Sequence, residues 1–451
     1  LGFLNSSLFG FLVSVINPTV HYQVGDVKRV PTKMPKQSDN FESGESIRIF
    51  AARNVCLKKH LYTFSLIERN FKQTPLDWAR EEDDTYSIEQ GVKTYIDYEL
   101  TLETKVLLNE SLIDEEIFEL YELEEKDIQA IFDEEGKPAG YQPLLYENDL
   151  NYLPVGKLLD NEFDLTEKDI KKIEDLREDY ASSLPGYDLP DEEKMGKENE
   201  VLDLYDDNED LRDVCTEAEV NPLSVLRIIK KTNQVPLKKG REIVHEFLFD
   251  KILKILREDP DGIVPLSSQT GEDTVYQKLQ RKLDDLGYET YEGFESYLKR
   301  GRTLEDWLYK DFFKAHAKRF SYRTYKGAIV WHLTSGKKNG FDVYVLHHKW
   351  SQDNLKKLRT VYLSNRKEFL ENRLAQLDRD EQDKEWRKRR EQLDEVEKME
   401  QKLKELENDP DYDPEVDDGV GKNIAPLQDK GLTSYDVLSS KQKKKYLGAD
   451  W

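Results

Sequence analysis

Cysteine is nearly missing from this chain: among 451 residues only Cys56 and Cys215 occur, far apart and without CxxC spacing. A disulfide framework and a thiolate zinc site are excluded by that, and a reducing cytoplasm is the expected setting. None of the sixteen prolines is adjacent to another, and no GxGxxG, GxxxxGK(S/T) or GxSxG turn occurs. Phosphate-cradling loops and a nucleophile elbow are missing with them. No apolar run approaches the roughly 20 residues of a membrane span, so no membrane partner is expected. Positive charge is short too, with 68 Lys and Arg against 92 Asp and Glu and a formal net charge of -24. Phosphate binding needs cations that displace counterions, so any nucleic-acid contact must be local.

What is present argues for a folded protein. Hydrophobic residues make up 37% and the aromatics include 6 Trp, 24 Tyr and 18 Phe, too many apolar anchors for a disordered chain. Leu1 to Ile16 is apolar at once and reads as an amphipathic helix; Asn5, Ser6, Ser7 and Ser14 and the lack of a positive flank speak against a secretion signal. We read the start as the interior of something longer. A short strand from Val20 to Val24, the turn Gly25-Asp26 and a second strand ending at Pro31 are expected next.

From Ser46 to Tyr146 the recurrence of Val92, Ile96, Leu100, Leu107, Leu112 and Ile117 predicts packed helices. Between Asp191 and Glu219, 13 acidic residues face 3 basic ones, the composition of a solvated linker. Val225–Ile229 and Ile243–Leu256 read as helices closed by the turn Pro260–Gly262, and 275–320 is helical again. AIVWHL at 328–333 and FDVYVLHH at 341–348 form a predicted hairpin, with Asn339-Gly340 supplying positive φ. Asp353 to Leu406 is expected to be one long helix, with Val396, Met399, Leu403 and Leu406 in a coiled-coil-like seam, followed by a short tail. The fold class is mainly α with small β elements (α+β).

Chemistry has few places to sit. His316, His332, His347 and His348 lie close in sequence, and on the hairpin His332 could face His347 or His348, with Asp342 or Asp353 completing a metal set. Adjacent strand residues point to opposite faces, which favours packed histidines and no metal. The stretch 299–367 is different: 17 Lys and Arg against 5 Asp and Glu, interleaved with twelve aromatics. That is the composition of a nucleic-acid surface, with Lys318, Arg319, Arg323, Lys326, Lys337, Lys338 and Lys349 as candidate phosphate contacts. The competing reading is that the stretch docks against acidic helices of the same protein.

FLNSSLFGFLVSVINPTVHYQVGDVKRVP at 3–31 resembles the end of the target-recognition domain in bacteriophage-exclusion (BREX) adenine-specific DNA methyltransferases of the PglX type. TFSLIERNFKQTPL at 63–76, LETKVLLNESLIDEEIFELYEL at 102–123, DGIVPL at 261–266, DWLYKDFFKAHAKRFSYRTYKGAIVWHLTSG at 306–336, VYVLHHKWSQDNLKKLRTVYL at 343–363 and DDGVGKNIAPLQ at 417–428 resemble later segments of that family in the same order. The acidic stretch, and KGREIVHEFLFDKIL at 239–253 where the family has a glycine-rich run, depart from its pattern.

The resemblance implies 1–45 as the end of a target-recognition domain and a helical spacer over 46–190; composition and periodicity add 191–220 as an acidic linker, 221–352 as a helical and hairpin domain with the basic patch, 353–408 as the long helix and 409–451 as a tail. It carries no catalytic residue onto this chain. No cofactor is expected in it, although S-adenosylmethionine serves the parent enzyme. The partners it implies are double-stranded DNA, an upstream methyltransferase half and other phage-exclusion proteins. The alternative function is a non-enzymatic interaction scaffold of a defence complex.

Overall fold

Helices carry most of the chain because apolar residues recur at three- and four-residue spacing through segments with few Gly or Pro. The protein's computed structural model describes residues 1–19, 21, 23–33, 41–83, 87–135, 171, 174–175, 203–217, 236–288, 290–298, 302–322, 325–326, 328–379 and 382–448. The chain divides into two units, Leu1–Thr85 with Glu89–Ile243, and Tyr86–Ile88 with Val244–Trp451. Among the described residues the elements are mainly helical, with a three-stranded and a two-stranded antiparallel sheet, the expected class. No described helix is long and apolar enough to cross a membrane.

In the first unit the helices are α1 (Ser7–Ile16), α2 (Val24–Val27), α3 (Phe41–Tyr62), α4 (Pro75–Asp83), α5 (Ile88–Tyr121), α6 (Glu125–Glu135) and α7 (Glu209–Glu217). The Ser6 hydroxyl caps α1 by accepting from Phe9 N–H at 3.1 Å. Asp114 of α5 accepts from the Ser7 N–H at 2.8 Å and from its hydroxyl at 2.6 Å, which fixes α1 so that Leu8 packs among Ile113, Ile117, Phe118, Ile131 and Phe132. Leu112, expected on the buried stripe, faces outward, and Ile113 takes its place inside. A second cluster gathers Phe64, Trp78, Tyr95 and Tyr98, with Trp78 and Tyr98 stacked at 4.2 Å.

Two expectations fail in this unit. The strand expected to end at Val24 and its successor are replaced by the single turn α2; Val20 and Tyr22 lie outside the described residues. Asp26 accepts from the Gln23 N–H and from the Asn17 amide, local bonds that compete with strand pairing. The acidic stretch expected as a linker forms a docked helix over 209–217, with Leu204, Tyr205, Leu211 and Cys215 buried. Asn208 caps it at 3.0 Å and donates to the Asp97 carbonyl at 3.0 Å. The rest of that stretch and the helix expected at Val225–Ile229 lie outside the described residues.

The second unit continues with α8 (Pro236–Glu258, from Val244 onward), β1 (Ile263–Pro265), α9 (Val275–Asp285), α10 (Glu292–Tyr297), α11 (Leu304–Lys310), α12 (Phe312–Arg319), β2 (Ser321–Tyr322), β3 (Tyr325–Lys326), β4 (Val330–Thr334) and β5 (Asp342–Leu346). It ends with α13 (Gln352–Lys357), a π-helical turn (Leu358–Leu363), α14 (Ser364–Gln376), α15 (Asp383–Glu407), α16 (Gly419–Asp429) and α17 (Ser440–Leu447). The predicted hairpin is present as β4 and β5, and β1 joins its far edge in the order β1-β5-β4. Asn339 has the positive φ the turn needs. Gly340 serves close approach instead: a Cβ there would lie 2.4 Å from the Gln392 carbonyl oxygen of α15.

The long helix expected from Asp353 to Leu406 is not continuous: α14 ends at Gln376, with Leu377 in extended backbone, and α15 starts at Asp383. Its two halves carry separate apolar stripes, and folding one onto the other buries Leu370 together with Leu393, Val396, Met399, Leu403 and Leu406 around the hairpin residues Trp331, Leu333, Val343 and Val345. Burying each such side chain is worth about 1.5–3 kcal/mol, which a straight exposed helix would forgo. The segment expected as a tail enters the same core through Ile424, Ala425, Leu427 and Leu432.

Candidate nucleic-acid interface

Lysines and arginines in the basic stretch meet two fates. Lys318, on α12, is exposed, and so is Lys337 in the hairpin loop. Arg319 turns the other way: its guanidinium donates to both oxygens of Glu246 on α8, from Nε at 2.8 Å and from an Nη at 3.0 Å. Glu246 is almost fully buried there, so the fork satisfies a carboxylate that water cannot reach.

Lys338 pairs with Glu391 at 2.8 Å, and that carboxylate holds its ammonium above the ordinary range. Lys349 donates to the carbonyls of Arg257, at 2.9 Å, and Asp259, closing the C-terminal end of α8. Arg323 lies outside the described residues; Lys326 contributes backbone to β3, and its side chain is outside them.

Other cations of the stretch are occupied in the same way. Arg302 meets Asp311 at 2.7 Å, Lys310 meets Asp306 at 2.7 Å, Arg359 meets Glu407 at 2.6 Å and Lys367 meets Glu400 at 2.8 Å. Lys357 pairs with Asp261. Arg366 is buried and donates to the carbonyls of Gly340 at 2.8 Å and Ser268 at 3.0 Å; desolvation lowers its pKa. The π-helical turn just before it shifts the helix register, so that Arg359, Tyr362 and Arg366 each reach a partner.

The hairpin loop that carries Lys337 and Lys338 is itself held. Glu395 accepts from the N–H groups of Lys338, at 3.0 Å, and Gly340, and the Gln392 amide donates to the Lys338 carbonyl at 3.0 Å. Lys337 therefore projects from a rigid base, set by α15.

The histidines do not converge. His332 lies across from Tyr344, not from His347 or His348, because Val330 pairs with Leu346 in the hairpin register. Its Nε2 bonds Asp342 at 3.0 Å inside the core. His316 is fully buried, accepts from the Val330 N–H at 3.2 Å and is pushed down to about 3 by desolvation. His347 is pushed down to about 4 by burial and by His348, and its Nε2 sits 3.4 Å from the Asn423 amide. No group of three metal-ligating side chains occurs among the described residues.

The candidate set leaves out Lys441, Lys444 and Lys445, which are exposed on α17. The run KQKKK at 441–445 was the signal available for them.

No protein-family model matches the chain. One curated protein, an adenine-specific methyltransferase PglX of Lacticaseibacillus casei (strain Zhang), is 27% identical over 179 residues. That stretch covers 36% of this chain and 14% of the relative's length. The chain is thus similar to a small part of an adenine-specific methyltransferase.

Proposed function

We propose that this chain is a non-catalytic part of an adenine-specific DNA methyltransferase system of phage exclusion, one that grips duplex DNA and organises its partners. Its partners would be an upstream methyltransferase half and other exclusion proteins, and S-adenosylmethionine would be held by that half. The observation that carries the reading is the similarity to a PglX methyltransferase, together with exposed lysines on a unit otherwise closed by ion pairs. DNA contact falls to cations the fold leaves exposed, Lys318 and Lys337 first, with Arg323 and Lys326 to be tested beside them.

A second reading has its own support. Arg319, Lys338 and Lys349 are committed to Glu246, Glu391 and the end of α8, which is what an interaction scaffold with an internally matched basic stretch would show. Equilibrium binding of duplex DNA across a salt series separates the two. The gripping reading expects log affinity to fall linearly with log salt, by about 0.9 per phosphate contact. A protein that binds no duplex DNA at low salt leaves the scaffold reading standing alone.

A further inference from the structure

In a chain with 92 acidic side chains against 68 basic ones, a lysine without a carboxylate nearby calls for a reason. Among the described α-helices of the second unit, α12, FFKAHAKR, and α17, SKQKKKYL, contain no Asp or Glu at all.

Each is anchored by one face and presents lysine on the other. At about 100° per residue, Lys441, Lys444 and Lys445 share roughly a 100° arc of α17, while Lys443 and Tyr446 lie opposite. Lys443 pairs with Asp429 of α16 at 2.8 Å, and Tyr446 packs against Gly421 of the same helix. On α12 the buried Phe312, Phe313, His316 and Ala317 leave Lys314 and Lys318 on the outward side. Tyr435, five residues before the first residue of α17, packs against α12: its ring meets Phe313 at 6.2 Å and lies 5.8 Å from the Lys314 ammonium.

Helix electrostatics alone do not explain the pattern. A cation in the last turn complements the macrodipole, but Lys441 and Lys314 stand in first turns, where the helix end is already positive. Like charges at three- and four-residue spacing repel as well. The arrangement costs stability in isolation, and an anionic partner removes that cost.

We propose that the outward faces of α17 and α12, through Lys441, Lys444, Lys445, Lys314 and Lys318, form the surface that holds the phosphate backbone of duplex DNA. This rests on the DNA-gripping reading and relocates most of the grip outside 299–367. Phosphates fit better than an acidic peptide because five flexible, strongly hydrated point charges on two helices suit a regular line of anions without side-chain pairing.

The test is fluorescence anisotropy of a random-sequence duplex with the whole chain between about 25 and 200 mM salt. Lys441→Glu/Lys444→Glu/Lys445→Glu should weaken binding at least tenfold at low salt, with the salt slope smaller by about 2.7. Lys314→Glu/Lys318→Glu should reduce it further, by about 1.8. Should the triple charge reversal alter the melting temperature, the triple Gln variant replaces it and must still lower the slope. If wild type binds and the triple variant matches it in affinity and slope, the surface is wrong while DNA gripping survives. If wild type shows no salt-dependent binding, both fall. Displacement of the duplex by poly-glutamate of equal charge at equal concentration would overturn the proposal in favour of an acidic protein partner.

Discussion

The acidic segment 203–217 and the basic stretch 299–367 carry opposite charge, yet the structure uses their charged residues differently. The acidic one docks by its apolar residues, burying Leu204, Tyr205, Leu211 and Cys215, and Lys93 meets its Asp207 at 2.7 Å. Like charge is tolerated close by: burial foremost, with Asp207 adding to it against Lys93, lifts the Asp97 carboxyl to about 7. The basic one buries apolar residues too, and its cations are met by carboxylates, with Arg302, Lys310, Arg319, Lys338, Lys357, Arg359 and Lys367 each on one. A run of charge in sequence therefore says little about exposure; the apolar residues spaced through it, and the carboxylates that meet it, decide.

That contrast breaks first if the acidic segment does not depend on its apolar contacts. Leu211→Ala should cost about 3 kcal/mol, read as a lower melting temperature and lost hydrogen-exchange protection over 203–217. Unchanged protection there would mean the helix does not dock. On the basic side the prediction is an asymmetry. Arg319→Leu takes the guanidinium fork away from the buried Glu246 carboxylate and should cost about 2 kcal/mol, whereas Glu246→Gln leaves a half-exposed Arg319 that water can reach and should cost about 1 kcal/mol or less. Equal losses would show that the pair is not the buried carboxylate's support.

The hairpin was legible because strand alternation and Asn339-Gly340 are local signals; its register was not, since pairing Val330 with Leu346 depends on the turn and on β1. The helix class was legible from periodicity. The break between α14 and α15 was not, because a charged run such as DRDEQDK reads equally well as helix or loop, and only the need to bury Leu370 against α15 decides. At the candidate site the sequence located the cations but not their partners: Glu246 lies 73 residues from Arg319 and Glu395 lies 57 from Lys338.

The two regions should also answer acid with opposite signs. Asp97 takes a proton near 7 when folded against an ordinary value of 3.8, so its docking region is most stable below about 3.8 and loses stability as pH rises through 7. His316 and His347 run the other way: folded values of about 3 and about 4 against 6.5 mean stability that is full above 6.5 and is lost as pH falls. Each group contributes at most about 1.4 kcal/mol per pH unit. Hydrogen exchange at pH 5 and pH 7.5, corrected for intrinsic rates, should show 203–217 better protected at pH 5 and 328–346 less so. Asp97→Asn should flatten the first response and leave the second.

The smallest expected effect is the most telling for the basic stretch. Lys337 and Lys338 sit on a loop already held through Glu395 and Gln392 by backbone atoms, and the Lys338–Glu391 pair is exposed at both ends. Exposed pairs contribute about 0–1 kcal/mol, so Lys337→Glu should leave the melting temperature within about 2 °C and Lys338→Glu should lower it slightly more. A large loss from Lys337→Glu would mean that this lysine also belongs to the internal stitching, and would remove it from the cations open to a phosphate.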